Sequence, residues 1–137
     1  MRRFVFCAGL TLALAAVGCN TGGHSTGVAR DITPPDDAWF QEEVVNSNVP
    51  VLVDFGATWC GPCRQLAPRL EQLEQKHGGQ LKIVAIDVDE KPELASHYQV
   101  QGIPHMLILD GGKIVAEEVG SMEYTSLERW ALGAIKK

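Results

Sequence analysis

One stretch constrains the fold of this chain more than any other. From Val49 to Phe55 the run is rich in β-branched valine and nearly continuously apolar; Cys60, Gly61, Pro62 and Cys63 follow, and then Leu66, Leu70 and Leu73 at helical spacing. An apolar run of that kind is a strand covered on both faces. Gly61 and Pro62 punctuate its end, and the leucine stripe predicts a long helix stopped at Gly78 and Gly79. Pro68, inside that helix, is expected to kink it.

The elements on either side alternate in the same way. Trp39, Phe40, Val44 and Val45 recur at helical spacing in a segment opened by Asp36 and Asp37, where acids favour a helix start. Downstream, "LKIVAIDVD" predicts a second strand and the segment from Pro92 to His97 a short helix. "HMLILDGGKIVAEEVG" predicts two strands joined at Asp110, Gly111 and Gly112, a strong hairpin signal. A last helix is expected from about Glu123 to Ile135, with Leu127, Trp130, Ala131 and Ile135 on one face. Strands alternating with helices, then a terminal hairpin, imply an α/β domain of three layers with a central mixed sheet flanked by helices. Val28 to Thr33 would supply a short first strand.

The N-terminus belongs to a different class of sequence. Arg2 and Arg3 precede an apolar run from Phe4 to Gly18, the pattern of an export signal and too short for a transmembrane span of roughly 20 residues. Gly18-Cys19 resembles a bacterial lipoprotein lipobox, in which the cysteine becomes lipid-modified and N-terminal; Ala16 stands where a leucine is usual. Cleavage at the small-residue pattern Ala13-Leu14-Ala15 is the alternative, and it leaves Cys19 as a free thiol. The expected organisation is a signal peptide over 1–18, a Gly/Ser/Thr-rich flexible tether over 19–29 and a folded domain over 30–137. Such a chain would be held in a bacterial cell envelope by a lipid anchor.

Composition excludes one class of partner. With the signal removed, 10 Lys and Arg face 17 Asp and Glu, giving a net charge of -7, and no basic block could track phosphates. Nucleic acid is therefore not an expected partner.

Cysteine usage narrows the chemistry further. Cys7 leaves with the signal and Cys19 lies in the tether, so the folded part holds only Cys60 and Cys63. A bridge closing so short a loop restricts the unfolded chain little, which argues against a structural staple. Zinc wants four ligands, and His77, His97 and His105 stand at no recognisable partner spacing, so no metal is expected. Redox exchange remains. Cys60 falls where the strand gives way to the helix, and unpaired amides with the positive end of the helix dipole favour a thiolate there. Its pKa is expected below the free value of about 8.5, in a range of roughly 3.5 to 7.5. Cys63, one turn on, faces the same side and can resolve a mixed disulfide formed at Cys60.

The strings "VLVDFGATWCGPCRQLAP", "GIPHMLIL" and "EEVG" together resemble the thioredoxin family, in order, over about residues 30 to 137. The resemblance implies a thiol-disulfide oxidoreductase that acts on protein disulfides through the Cys60-Cys63 couple with no other cofactor, as a monomer. It makes Cys60 the nucleophile, Cys63 the resolving cysteine and Asp54 a buried acid that relays protons for Cys63. Trp59, Gly61, Pro62, Ile103 and Pro104 would form the substrate surface, with Pro104 in the cis form so that the Ile103 backbone can pair with an extended peptide. Gly120 matches a family glycine near the same groove.

Three positions depart from the family pattern. Gly56 replaces a common aromatic residue, which would open the floor of the site. Ala85 replaces a lysine beside the acid, so Asp54 should have its pKa raised further. His105 replaces a threonine after the proline and is expected as a partly exposed histidine on the rim. Gly61-Pro62 resembles the reducing members, implying a reductase fed by a thiol electron donor, which in an envelope would be membrane-embedded. Two alternatives stay open: an oxidase or isomerase, and a binding or assembly module with idle cysteines.

Overall fold

The computed structural model describes residues 32–136. Helix α1, Ala38–Phe40, continues as a π-helical turn over Gln41–Val45 and is followed by β1, Val51–Gly56. Then come α2, Gly61–His77; β2, Lys82–Asp87; α3, Pro92–His97; β3, His105–Asp110; β4, Lys113–Val119; and α4, Tyr124–Ile135. The four strands form one mixed sheet in the order β2-β1-β3-β4. β1 runs parallel to β2 and antiparallel to β3, and β3 pairs antiparallel with β4. The expected three-layer α/β architecture is thus observed. Of the expected strand over Val28 to Thr33, residues 28 to 31 lie outside the described residues, while Ile32 and Thr33 carry no strand.

The period-2 alternation of a strand divides the core in two. Val51, Val53 and Phe55 of β1 pack with Phe40, Val44, Leu94, Tyr98, Leu107 and Leu109 on the face covered by α1 and α3. Leu52 of β1 packs on the opposite face with Leu66, Leu70 and Leu73 of α2 and Leu127 and Ala131 of α4. Asp54, two residues beyond Leu52, belongs to that second face, at the end of the strand that lies beside the start of α2.

The turns follow their residues. Gly111 and Gly112 have φ of 55° and 77°, as a two-residue hairpin that matches the strand twist requires. Helix α2 continues through Pro68 to His77, where the ring removes one N–H from the helix ladder without ending the element. Gly78 ends α2 in a right-handed conformation, and a Cβ there would stand 2.8 Å from the Glu74 carbonyl. The π-helical turn has Asn46 N–H donating to Gln41 O at 2.9 Å, five residues back.

A polar cluster ties the end of α2 to α4. Glu128 accepts from Lys76 Nζ at 2.7 Å, meets His77 Nε2 at 2.8 Å and accepts from the Tyr124 hydroxyl at 3.1 Å. The Lys76 hydrogen bond, then that of His77, hold the Glu128 carboxyl down to about 2. A carboxyl with a lowered folded pKa contributes stability above its unfolded value, lost as pH falls through the folded one. Glu128→Gln is therefore expected to lower the melting temperature at pH 7, and the gap from wild type should close as the pH approaches 2. Thermal unfolding followed by circular dichroism across that range checks it.

Candidate functional site

The site is built where β1 hands over to α2. Cys60 N–H donates to Ala57 O at 3.1 Å, closing a turn, and Cys60 then serves as the N-cap of α2 with Pro62 in the first helical turn. Its Sγ accepts from the Cys63 backbone N–H at 3.2 Å, so one of the helix's unpaired amides is aimed at this sulfur. Cys60 and Cys63 form a disulfide with Cα atoms 5.3 Å apart. Both residues are buried, 5% and 8% exposed, in a small cluster with Ala57, Val88 and Ile103. Arg64 Nη1 donates to Thr58 O at 3.0 Å and braces the turn from the helix side.

Two other segments converge on the pair. The Ile103–Pro104 peptide bond is cis, and Ile103 O lies 3.9 Å from Cys60 Sγ. Gly120 N–H donates to Pro104 O at 2.8 Å with a φ of 101°, a conformation that favours glycine. The glycine is thus required by the loop that carries Ile103. Trp59 stands 65% exposed beside the disulfide, with its Nε1 donating to Asp89 Oδ2 at 2.7 Å. Asp89 is not identifiable as a site residue from sequence, because it comes from the loop after β2 and carries no local motif.

Asp54 is 7% exposed, and its Oδ1 has no hydrogen-bond partner among the described residues. Burial alone pushes its carboxyl up from 3.8 to about 6. Its partners across the sheet are Ala85 on β2 and Met106 on β3, neither of which supplies a charge. A groove of about 400 Å³ opens beside it, lined by Asp54, Gly56, Cys63, Arg64, Ala67 and Ala85 among others. A Cβ on Gly56 would touch Cys63 Sγ at 3.5 Å, so the absence of a side chain there opens the floor next to that sulfur.

His105 is not a rim residue. It is 3% exposed, opposite Phe55 in the register of β1 and β3, with the two rings edge to face at 6.4 Å. Residues 105, 107 and 109 share a parity along β3, and Leu107 and Leu109 belong to the buried face toward α1 and α3, so the strand carries the histidine inward. Its Nε2 meets Glu117 Oε1 at 2.8 Å. Among the described residues, no group of three or more His, Cys, Asp or Glu is placed to hold a metal ion.

The arrangement is suited to disulfide exchange: a sulfur at a helix N-cap, a second sulfur bonded to it from the same helix, a carboxyl with an elevated pKa nearby, and a peptide backbone within reach. The family model described as Thioredoxin matches residues 31–132. The chain belongs to the thioredoxin family. It is similar to thioredoxin 1 of Nostoc sp., 44% identical over 93 residues that cover 68% of this chain and 87% of that one. It is likewise similar to the thioredoxin of Streptomyces clavuligerus, 44% identical over 103 residues, covering 75% and 92%. The bifunctional thioredoxin reductase/thioredoxin of Mycobacterium leprae is 43% identical over 109 residues, 80% of this chain and 23% of that longer one. As a member of the thioredoxin family this protein is a protein-disulfide oxidoreductase that works through its redox-active Cys60-Cys63 pair and needs no cofactor.

Proposed function

We propose that this thioredoxin-family protein is a reductase of protein disulfides, exported to a bacterial cell envelope and held there by a lipid on Cys19. The observation that carries the exchange chemistry is the Cys60-Cys63 disulfide at the N-cap of α2 with Ile103 O 3.9 Å from Cys60 Sγ. In the reducing cycle the Cys60 thiolate attacks a substrate disulfide and is joined to one substrate sulfur, while the other leaves as a thiolate. Cys63, deprotonated by the Asp54 carboxylate across the groove they share, then attacks Cys60 and releases the reduced substrate. Ile103 O and the exposed Trp59 flank Cys60 and form the surface for an extended peptide, with Gly61, Pro62 and Pro104 around it.

Direction is set by the couple's potential. A reductase holds it near or below the glutathione poise, whereas an oxidase stabilises the dithiol, as expected if the Cys60 thiolate were unusually stable. Equilibration of the full chain with glutathione redox buffers is expected to give a couple more reducing than glutathione, and the reduced protein should precipitate insulin by cleaving its interchain disulfides. A strongly oxidising couple would reassign the protein as an oxidase, and an inert pair as a binding module. A separate reductant must recharge the protein, and in an envelope a thiol donor spanning the membrane would serve.

Lipid attachment rests on the Gly18-Cys19 sequence after an apolar run that begins behind Arg2 and Arg3. Cells expressing the full chain are expected to incorporate radiolabelled palmitate into it, and Cys19→Ala should move the protein from the detergent phase to the aqueous phase. Unchanged partitioning would remove the anchor from the proposal.

A further inference from the structure

The groove beside Cys63 is lined by that residue but by neither Cys60 nor Ile103. It exists because Gly56 has no side chain over Cys63 Sγ and because Ala67 and Ala85, both small and exposed, leave its walls low. Asp54 lines it with a buried Oδ1 that no group among the described residues satisfies. Asp87 and Glu90 add two more acids to the lining against the single cation Arg64, which is engaged with Thr58 O. The volume, about 400 Å³, suits a small molecule and not a folded protein.

We propose that this groove admits a small neutral or cationic monothiol that reduces the Cys60-Cys63 disulfide by attacking Cys63 Sγ, giving the protein a second route for taking up electrons. The inference rests on the pair cycling as proposed above. The first thiol gives its proton to the Asp54 carboxylate, and its sulfur bonds to Cys63 Sγ. The Cys60-Cys63 bond breaks and Cys60 departs as a thiolate, held by the Cys63 N–H at the helix N-cap. Exchange runs faster when the leaving sulfur is the more acidic one, so attack at Cys63 expels the better leaving group of the two. A second thiol molecule then attacks the small-molecule sulfur of the mixed disulfide, its proton passing to the Cys60 thiolate. Cys63 leaves and takes the proton from Asp54. Two monothiols have become one small disulfide, and the protein disulfide has become a dithiol.

The test uses the oxidised full chain with cysteamine as the cationic probe, 2-mercaptoethanol as the neutral one and glutathione as the anionic one. Millisecond acid quenching, maleimide labelling and peptide mapping are expected to place the first cysteamine adduct on Cys63, with maleimide on Cys60. The second-order rate, corrected for thiolate fraction, should be about tenfold higher for cysteamine than for glutathione, because the groove carries an excess of acids. Gly56→Phe, which fills the floor, is expected to slow cysteamine by about tenfold or more through lost access. Ala67→Leu narrows the groove from the exposed face of α2 and serves if Gly56→Phe does not fold. A first adduct on Cys60 alone, or unchanged cysteamine rates in the folded groove variants, overturns the proposal. Insulin cleavage by chemically reduced wild type is measured alongside. If that succeeds while the adduct sits on Cys60, only the monothiol route falls; if it fails, the reductase reading falls first.

Discussion

Cys60→Ser is expected to abolish insulin reduction, and Cys63→Ser to abolish turnover while leaving the first exchange intact. The two cysteines share a helix but occupy different electrostatic positions. Cys60 is the N-cap and receives the Cys63 N–H, whereas Cys63 lies inside the first turn, where its own amide is already used. A serine at 60 removes the sulfur that lies within 4 Å of the carbonyl of Ile103. Multiple-turnover rates should fall by about 10³-fold or more in both variants, the scale expected when a covalent nucleophile or its partner is removed. They separate in a single-turnover experiment. Cys63→Ser should accumulate a mixed disulfide between Cys60 and substrate, visible by mass spectrometry and released by reductant, because nothing remains to attack it from within. Cys60→Ser should accumulate none on the peptide side. A stable substrate adduct on Cys63 in Cys60→Ser would mean that the roles are reversed.

The second large effect belongs to Asp54, and it has opposite signs in stability and in catalysis. With its carboxyl at about 6 when folded and near 3.8 when unfolded, the native state binds the extra proton between those values. Stability contributed by that group is present below the unfolded pKa and is lost as pH rises through the folded one. The gap between the two values corresponds to about 3 kcal/mol, which wild type lacks at pH 7 and retains at pH 3. Asp54→Asn should therefore unfold at higher urea concentration than wild type at pH 7, with the advantage vanishing near pH 4. A variant less stable at pH 7 would show that the carboxylate has a favourable partner when charged. The same substitution removes the base proposed to deprotonate Cys63. The resolving step should slow by about 10²-fold, within the range of general acid-base contributions, and should lose the rise in rate around pH 6. Stopped-flow release of substrate from the mixed disulfide measures it.

Much of the fold can be read from local pattern. β1, α2, β2, α3, the Gly111-Gly112 hairpin and α4 all carry their periodicity or turn chemistry within the element itself, and each lies close to where sequence places it. The same holds for the cysteine pair: a strand end, a proline in the first helical turn and a two-residue spacing are local facts. The cis bond at Pro104 is legible only through family resemblance, since an X-Pro bond is cis in about 5 to 6% of cases.

The features that sequence does not reveal depend on register between distant segments. Its pattern puts His105 at the rim, yet β3 pairs it with Phe55 and buries it against Glu117. Asp89 joins the site only because the loop after β2 returns to Trp59, thirty residues away. Gly56 and Ala85 stand out in the sequence as departures, but that they open one groove onto Cys63 and Asp54 follows from the parallel pairing of β1 with β2 beside the start of α2. The amino-acid order by itself determined that a nucleophilic sulfur would cap a helix, because helix polarity and capping act within one turn. What surrounds that disulfide, the Ile103 carbonyl near Cys60 Sγ and the groove beside Cys63, was decided by packing between segments far apart in the chain, where a side chain's surroundings depend on strand pairing and not on its neighbours in sequence.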